Sequence, residues 1–138
     1  MFQILGIDHV VLRVRDAPRM TRFYCDVLGC NVERERPDLG LIQLRAGASL
    51  IDLIAVNGEP GKPGEAGGAR HGRNMDHVCV RVEPFDQPRI IAHLIANSVV
   101  PGEVKTRFGA DGYGPSLYIS DPEGNVVELK GPPDREAR

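Results

Sequence analysis

Tryptophan is absent from this 138-residue chain, aromatics make up only 5% of it, and no apolar run extends beyond a few positions. The last of these absences excludes a transmembrane helix, which needs about 20 largely apolar residues in succession. Neither sign of charge dominates: the net charge is -2, and lysine and arginine form no block. A nucleic-acid stripe and a polybasic membrane anchor are therefore not expected. The opening MFQILGIDHV has neither a basic segment nor a long apolar one, so no secretory signal is expected there. Cysteine is scarce as well. Cys25, Cys30 and Cys79 are an odd number without a CxxC pair, which reads as reduced thiols in a cytoplasmic protein. The 41% hydrophobic content is modest but enough for a core, and the length suits one domain or two small units sharing a core.

What is present is a repeat. IDHVVLRV at 7–14 returns as MDHVCVRV at 75–82, with Asp, His, Val, Arg and Val in the same places. Each copy reads as a strand, and each precedes a helix-like segment. In 17–29, Met20, Phe23, Tyr24, Val27 and Leu28 follow helical spacing up to Gly29. In 88–98, Pro88 suits a first turn, and Ile90, Ile91, Leu94 and Ile95 form an apolar stripe.

Three strands are expected after each helix. They are CNVERERP, LGLIQLRA and ASLIDLIAV in the first half, and VVPGEV, PSLYIS and VVELK in the second, with DPEGN as the last turn. The fold class is thus α+β, two tandem β-α-β-β-β modules at 5–56 and 75–131 in one domain. Residues 57–74 join them with six glycines and two prolines, the composition of a linker or flap. The tail GPPDREAR is expected to fray.

Chemistry-bearing residues recur with the repeat. His9 and His77 lie on the first strand of each module, and Asp52 and Glu128 on the last, each acid flanked by aliphatic residues. Burying such an acid is costly unless it is paired or bound to a cation. Singly, each has an ordinary reading: a hydrogen-bonded histidine, or an acid on an exposed edge strand. Their recurrence at equivalent positions favours metal ligation. Two imidazoles and one or two carboxylates, without a thiolate, suit a divalent ion such as Zn, Ni, Mn, Fe(II) or Co. Positions left open on such an ion are the mark of a catalytic site.

Arg13 and Arg81 share the faces of His9 and His77, and suit a substrate carboxylate, phosphonate or phosphate as readily as solvent. Tyr118 suits a hydrogen bond to substrate or simple packing. Ser116, with Gly112 and Gly114 read as a loop before it, suits an anion held by backbone N–H groups. Cys79 reads as a packing residue, since no helix N-terminus activates it. His71 in the linker and His93 on the second helix read as surface and structural histidines.

DHVVLRV followed by FYCDVLG, then DHVCVRV, then SLYISDPEGNVVEL resemble the vicinal oxygen chelate superfamily over roughly residues 5–131. That group includes glyoxalase I, fosfomycin-resistance thiol transferases, methylmalonyl-CoA epimerase, extradiol dioxygenases and bleomycin-binding proteins. The resemblance implies a cup-shaped mixed sheet around a metal, with His9, Asp52, His77 and Glu128 at the ligand positions. Glyoxalase I usually has Glu at the Asp52 position, so Asp52 is expected to ligate directly, through water, or not at all. Arg13 falls where glyoxalase I holds glutathione.

The implied activity is lactoylglutathione lyase-like isomerisation of a hemithioacetal, with Glu128 and Asp52 as catalytic carboxylates and glutathione or another thiol as co-substrate. Thiol transfer to an epoxide antibiotic, acyl-CoA epimerisation and metal-free drug binding are the alternatives. The last fits least well, because aromatic stacking surface is scarce. Small members commonly form homodimers with shared sites, so the expected partners are a small-molecule substrate and a second copy of the chain.

Overall fold

His9–Val14 forms β1, the first strand of a four-stranded sheet ordered β1-β4-β3-β2. The computed structural model describes residues 1, 3–5, 7–56, 75 and 77–136, so the expected 57–74 linker and His71 lie outside the described residues. The described chain falls into two compact units, one carrying each module.

In the first module, Asp16 caps the helix α1, Ala17–Arg22, by accepting from the Arg19 N–H at 3.0 Å. The helix then widens into a π turn over Phe23–Val27, where the Leu28 N–H reaches back to the Phe23 carbonyl. Met20, Phe23 and Tyr24 are all buried there, and the two rings meet edge to face at 5.1 Å. Gly29, at φ +80°, ends the segment in a conformation that most side chains resist. The expected single helix over 17–29 is thus two helical forms in succession.

Strands β2 (Asn31–Arg36), β3 (Leu41–Ala46) and β4 (Ser49–Ala55) follow as antiparallel neighbours, and β4 pairs parallel with β1. Alternation puts Leu12, Val14, Leu44, Ile51 and Leu53 on the apolar side, all buried. His9, Val11, Arg13, Gln43 and Asp52 share the other.

The second module repeats the plan with β5 (Val78–Arg81), α2 (Gln87–Ala96), β6 (Lys105–Gly109), β7 (Gly112–Ser120) and β8 (Val126–Lys130), ordered β5-β8-β7-β6. Leu117, Ile119, Val127 and Leu129 are its buried apolar strand residues. The tight turn before β8 is tied by Asp121, whose carboxylate accepts from the Glu123 and Asn125 N–H groups at 2.9 Å each and from the Asn125 amide at 2.7 Å.

Four expectations need correction. VVPGEV, 99–104, forms no strand: Pro101 has no N–H to give a ladder, and Gly102 makes one isolated bond to the Tyr118 carbonyl at 2.9 Å. The strand there is β6, just beyond. Gly112 and Gly114 lie within β7 rather than in a loop. Gly114 is needed because a Cβ would come within 2.6 Å of the Pro132 carbonyl oxygen. The tail does not simply fray, since Arg135–Glu136 form β9 against β7. The α2 stripe is narrower than expected: Leu94 is buried, but Ile95 is 61% exposed.

Leu53→Ala is accordingly expected to destabilise by about 2–5 kcal/mol, as removal of a fully enclosed leucine does. Ile95→Ala should stay within about 0.5 kcal/mol of the parent. Urea unfolding followed by circular dichroism measures both.

Candidate metal centre

In the first module the β1–β4 register sets Val11 beside Asp52, which places His9 one pleat away on the same face. His9 Nδ1 meets Asp8 Oδ1 at 2.6 Å. That bond raises the imidazole above its ordinary 6.5, against a smaller opposing effect of desolvation, and the Asp52 charge adds to the rise. With Nδ1 committed to Asp8, Nε2 is the nitrogen presented to a ligand. Asp52 is 4% exposed. Its Oδ2 accepts from Gln43 Nε2 at 3.1 Å, and its buried Oδ1 has no hydrogen-bond partner among the described residues. Gln43 Oε1 in turn accepts from Arg34 Nε at 2.8 Å.

The second module reproduces the register. Cys79 lies beside Glu128 in the parallel β5–β8 pair, and His77 precedes β5. Here histidine and acid touch directly, Nε2 to Oε1 at 3.3 Å, with Glu128 5% exposed. Tyr118 is in register with Glu128 on β7, and its ring stands edge-on to His77 at 5.3 Å. Arg107 stacks 4.5 Å over that ring and donates to the Ser116 carbonyl at 2.8 Å and hydroxyl at 2.9 Å. Lys130 is buried and donates to the Arg107 carbonyl at 2.7 Å. Partial burial pushes the Cys79 thiol up and the Glu128 charge adds to this, which disfavours a nucleophilic role.

Each module thus brings one histidine onto the face of one buried carboxylate. Among the described residues, no group of three or more His, Cys, Asp or Glu is gathered to hold an ion. Arg13 is exposed on the His9 face. Arg81 is engaged by two carboxylates, Glu83 at 2.8 Å and Asp111, so it is not the uncommitted anion-binding group that its strand position suggests. Ser116 is fully buried inside β7 with its hydroxyl taken by Arg107, which removes the expected loop-type anion cradle.

Asp8, Gln43, Arg107 and Lys130 were not anticipated as parts of the site. Gln43 carried a readable signal: it is a polar residue at a strand position whose neighbours on either side are aliphatic. Arg107 did not, because its strand was unrecognised.

His9 is raised, so its contribution to stability is present in full below pH about 6.5 and lost as the pH climbs through its folded-state value. NMR titration of the imidazole should give a midpoint above 6.5, and Asp8→Asn should bring it back toward that value.

Residues 6–129 match the family model described as the Glyoxalase/Bleomycin resistance protein/Dioxygenase superfamily. The virulence protein STM3117 of Salmonella typhimurium is 28% identical over 125 residues, 89% of this chain and 81% of that one. The structure VPC_CASS1 from the mobile metagenome of V. pseudocholerae is 30% identical with a TM-score of 0.76, over 95% of this chain and 97% of that one. The fosfomycin resistance protein FosX of Listeria monocytogenes shares the fold, with a TM-score of 0.68 at 16% identity over 94% of each chain.

Proposed function

Since the chain belongs to the Glyoxalase/Bleomycin resistance protein/Dioxygenase superfamily, we propose that it is a divalent-metal enzyme acting on a small substrate that offers two adjacent oxygens. The observation that carries this reading is the buried Oδ1 of Asp52, which has no hydrogen-bond partner among the described residues. A carboxylate oxygen buried without a donor costs on the order of 1–3 kcal/mol or more, and a bound cation relieves that cost. The chemistry of the donors fits as well: each module offers one imidazole and one carboxylate without a thiolate, His9 with Asp52 and His77 with Glu128, donor types that suit Zn, Ni, Mn, Fe(II) or Co.

When bound, the ion supplies Lewis acidity toward the paired oxygens. The chain's own groups do the remainder. The Asp8 bond orients the His9 ring. In this reading Glu128, which meets His77, takes a proton from substrate carbon and returns it, with Asp52 as its counterpart in the first module. Arg13 offers a fixed positive charge to an anionic group, and Tyr118 lies beside His77 as a hydroxyl donor toward substrate.

The finer reading is isomerisation of a thiol adduct of a 2-oxoaldehyde, as a glyoxalase I performs, with glutathione or another thiol as co-substrate. A cytoplasmic homodimer is part of the same proposal. Among the described residues no helix is long and apolar enough to cross a membrane, which agrees with that setting without locating the protein.

Metal analysis after incubation with Zn(II), Ni(II), Mn(II) or Co(II) is the test. The parent should retain metal, and His9→Ala and Glu128→Ala should each retain about tenfold less. Equal, negligible metal in all three would overturn the proposal. Turnover of methylglyoxal with glutathione should follow metal content. Its absence in the metal-loaded parent would discard the glyoxalase reaction and leave the metal site standing.

A further inference from the structure

The two modules support their buried acids differently, and the first does so through a chain of oriented donors. Gln43 and Asp52 are directly opposed across β3 and β4, and Arg34 is directly opposed to Gln43 across β2 and β3. Arg34 Nε can only donate, so the amide group of Gln43 must turn its oxygen to it, at 2.8 Å. The amide nitrogen is then left facing Asp52, where it donates to Oδ2 at 3.1 Å. Reversing the amide would set its oxygen against a carboxylate oxygen and its N–H groups against a guanidinium. The orientation follows from donor and acceptor chemistry alone.

One oxygen of Asp52 is therefore occupied and the other is buried without a partner among the described residues. At the equivalent place in the second module stands Tyr118, opposed to Glu128, but its ring packs on His77. At this register position module one supports its carboxylate, whereas module two packs the equivalent side chain on its histidine.

From this we infer that Gln43, backed by Arg34, is a positioning residue that commits Asp52 to bind the metal through Oδ1 alone. The inference rests on the metal-enzyme reading above and specifies how one of its ligands is presented. Gln43 touches neither metal nor substrate. Its effect passes entirely through Asp52, and a purely structural role would not show that dependence.

A double-mutant cycle on Co(II) affinity, read by chelator competition and by the visible absorption of bound Co(II), tests it. Gln43→Leu should weaken Co(II) binding about 10- to 100-fold and shift the absorption. Arg34→Ala should do so less. In an Asp52→Asn background, Gln43→Leu should cause no further loss and no further spectral change. Gln43→Glu, similar in size but unable to donate when ionised, replaces the leucine variant should that one fail to fold.

Equal losses from Gln43→Leu in both backgrounds would overturn the inference, as would an unchanged affinity. Loss with His9→Ala but none with Asp52→Asn would overturn it too, while leaving the metal reading intact. A parent that binds no Co(II) or other divalent ion would overturn both.

Discussion

The parallel pairing of the first and last strand of each module is the constraint on which the rest of this structure depends. It sets Val11 beside Asp52 and Cys79 beside Glu128, so each histidine lies one pleat from an acid on the same face. The register is held from the other side, where Leu12 pairs with Leu53 and Val80 with Leu129. A slip of one residue would turn those aliphatic side chains out and drive the acids into the core. Core burial and placement of the acids are therefore the same interaction seen from opposite faces.

Within that common frame the modules have diverged in how they satisfy buried charge. In the first, Asp8 takes one nitrogen of His9, while Gln43 and Arg34 hold one oxygen of Asp52. In the second, His77 and Glu128 meet directly, and the support comes from stacked groups, Arg107 over Tyr118 and Tyr118 against His77. A carboxylate with one oxygen unpartnered among the described residues and a carboxylate already touching imidazole are two different solutions to burying an acid.

The parts of the fold legible in advance were those governed by local periodicity. Strands β1, β3, β4 and β8 are rich in aliphatic residues, and the two acids stand out against aliphatic neighbours. The helix in the first half was legible too, but its widening at Phe23–Val27 was not, since side-chain spacing does not distinguish a Leu28 N–H bonded to Phe23 from one bonded a residue later. Strand β6 escaped notice because KTRFG is short and mostly polar, while the β-branched VVPGEV before it drew the assignment despite Pro101. With β6 missed, Arg107 and the burial of Ser116 were missed as well. The Asp111 contact that occupies Arg81 was equally hidden, because the two residues are far apart in the chain.

The sequence by itself determined the duplication, the tandem β-α-β-β-β plan and the recurrence of one histidine and one acid in each module, because side-chain alternation and turn residues act over a few positions. Only the tertiary structure decided which polar atoms find partners. Gln43 takes one oxygen of Asp52 and the other has no partner among the described residues, while Arg107 takes the hydroxyl of Ser116. Hydrogen-bond satisfaction depends on angstrom-scale distances between residues on different strands, and that information enters only when the strands are in register.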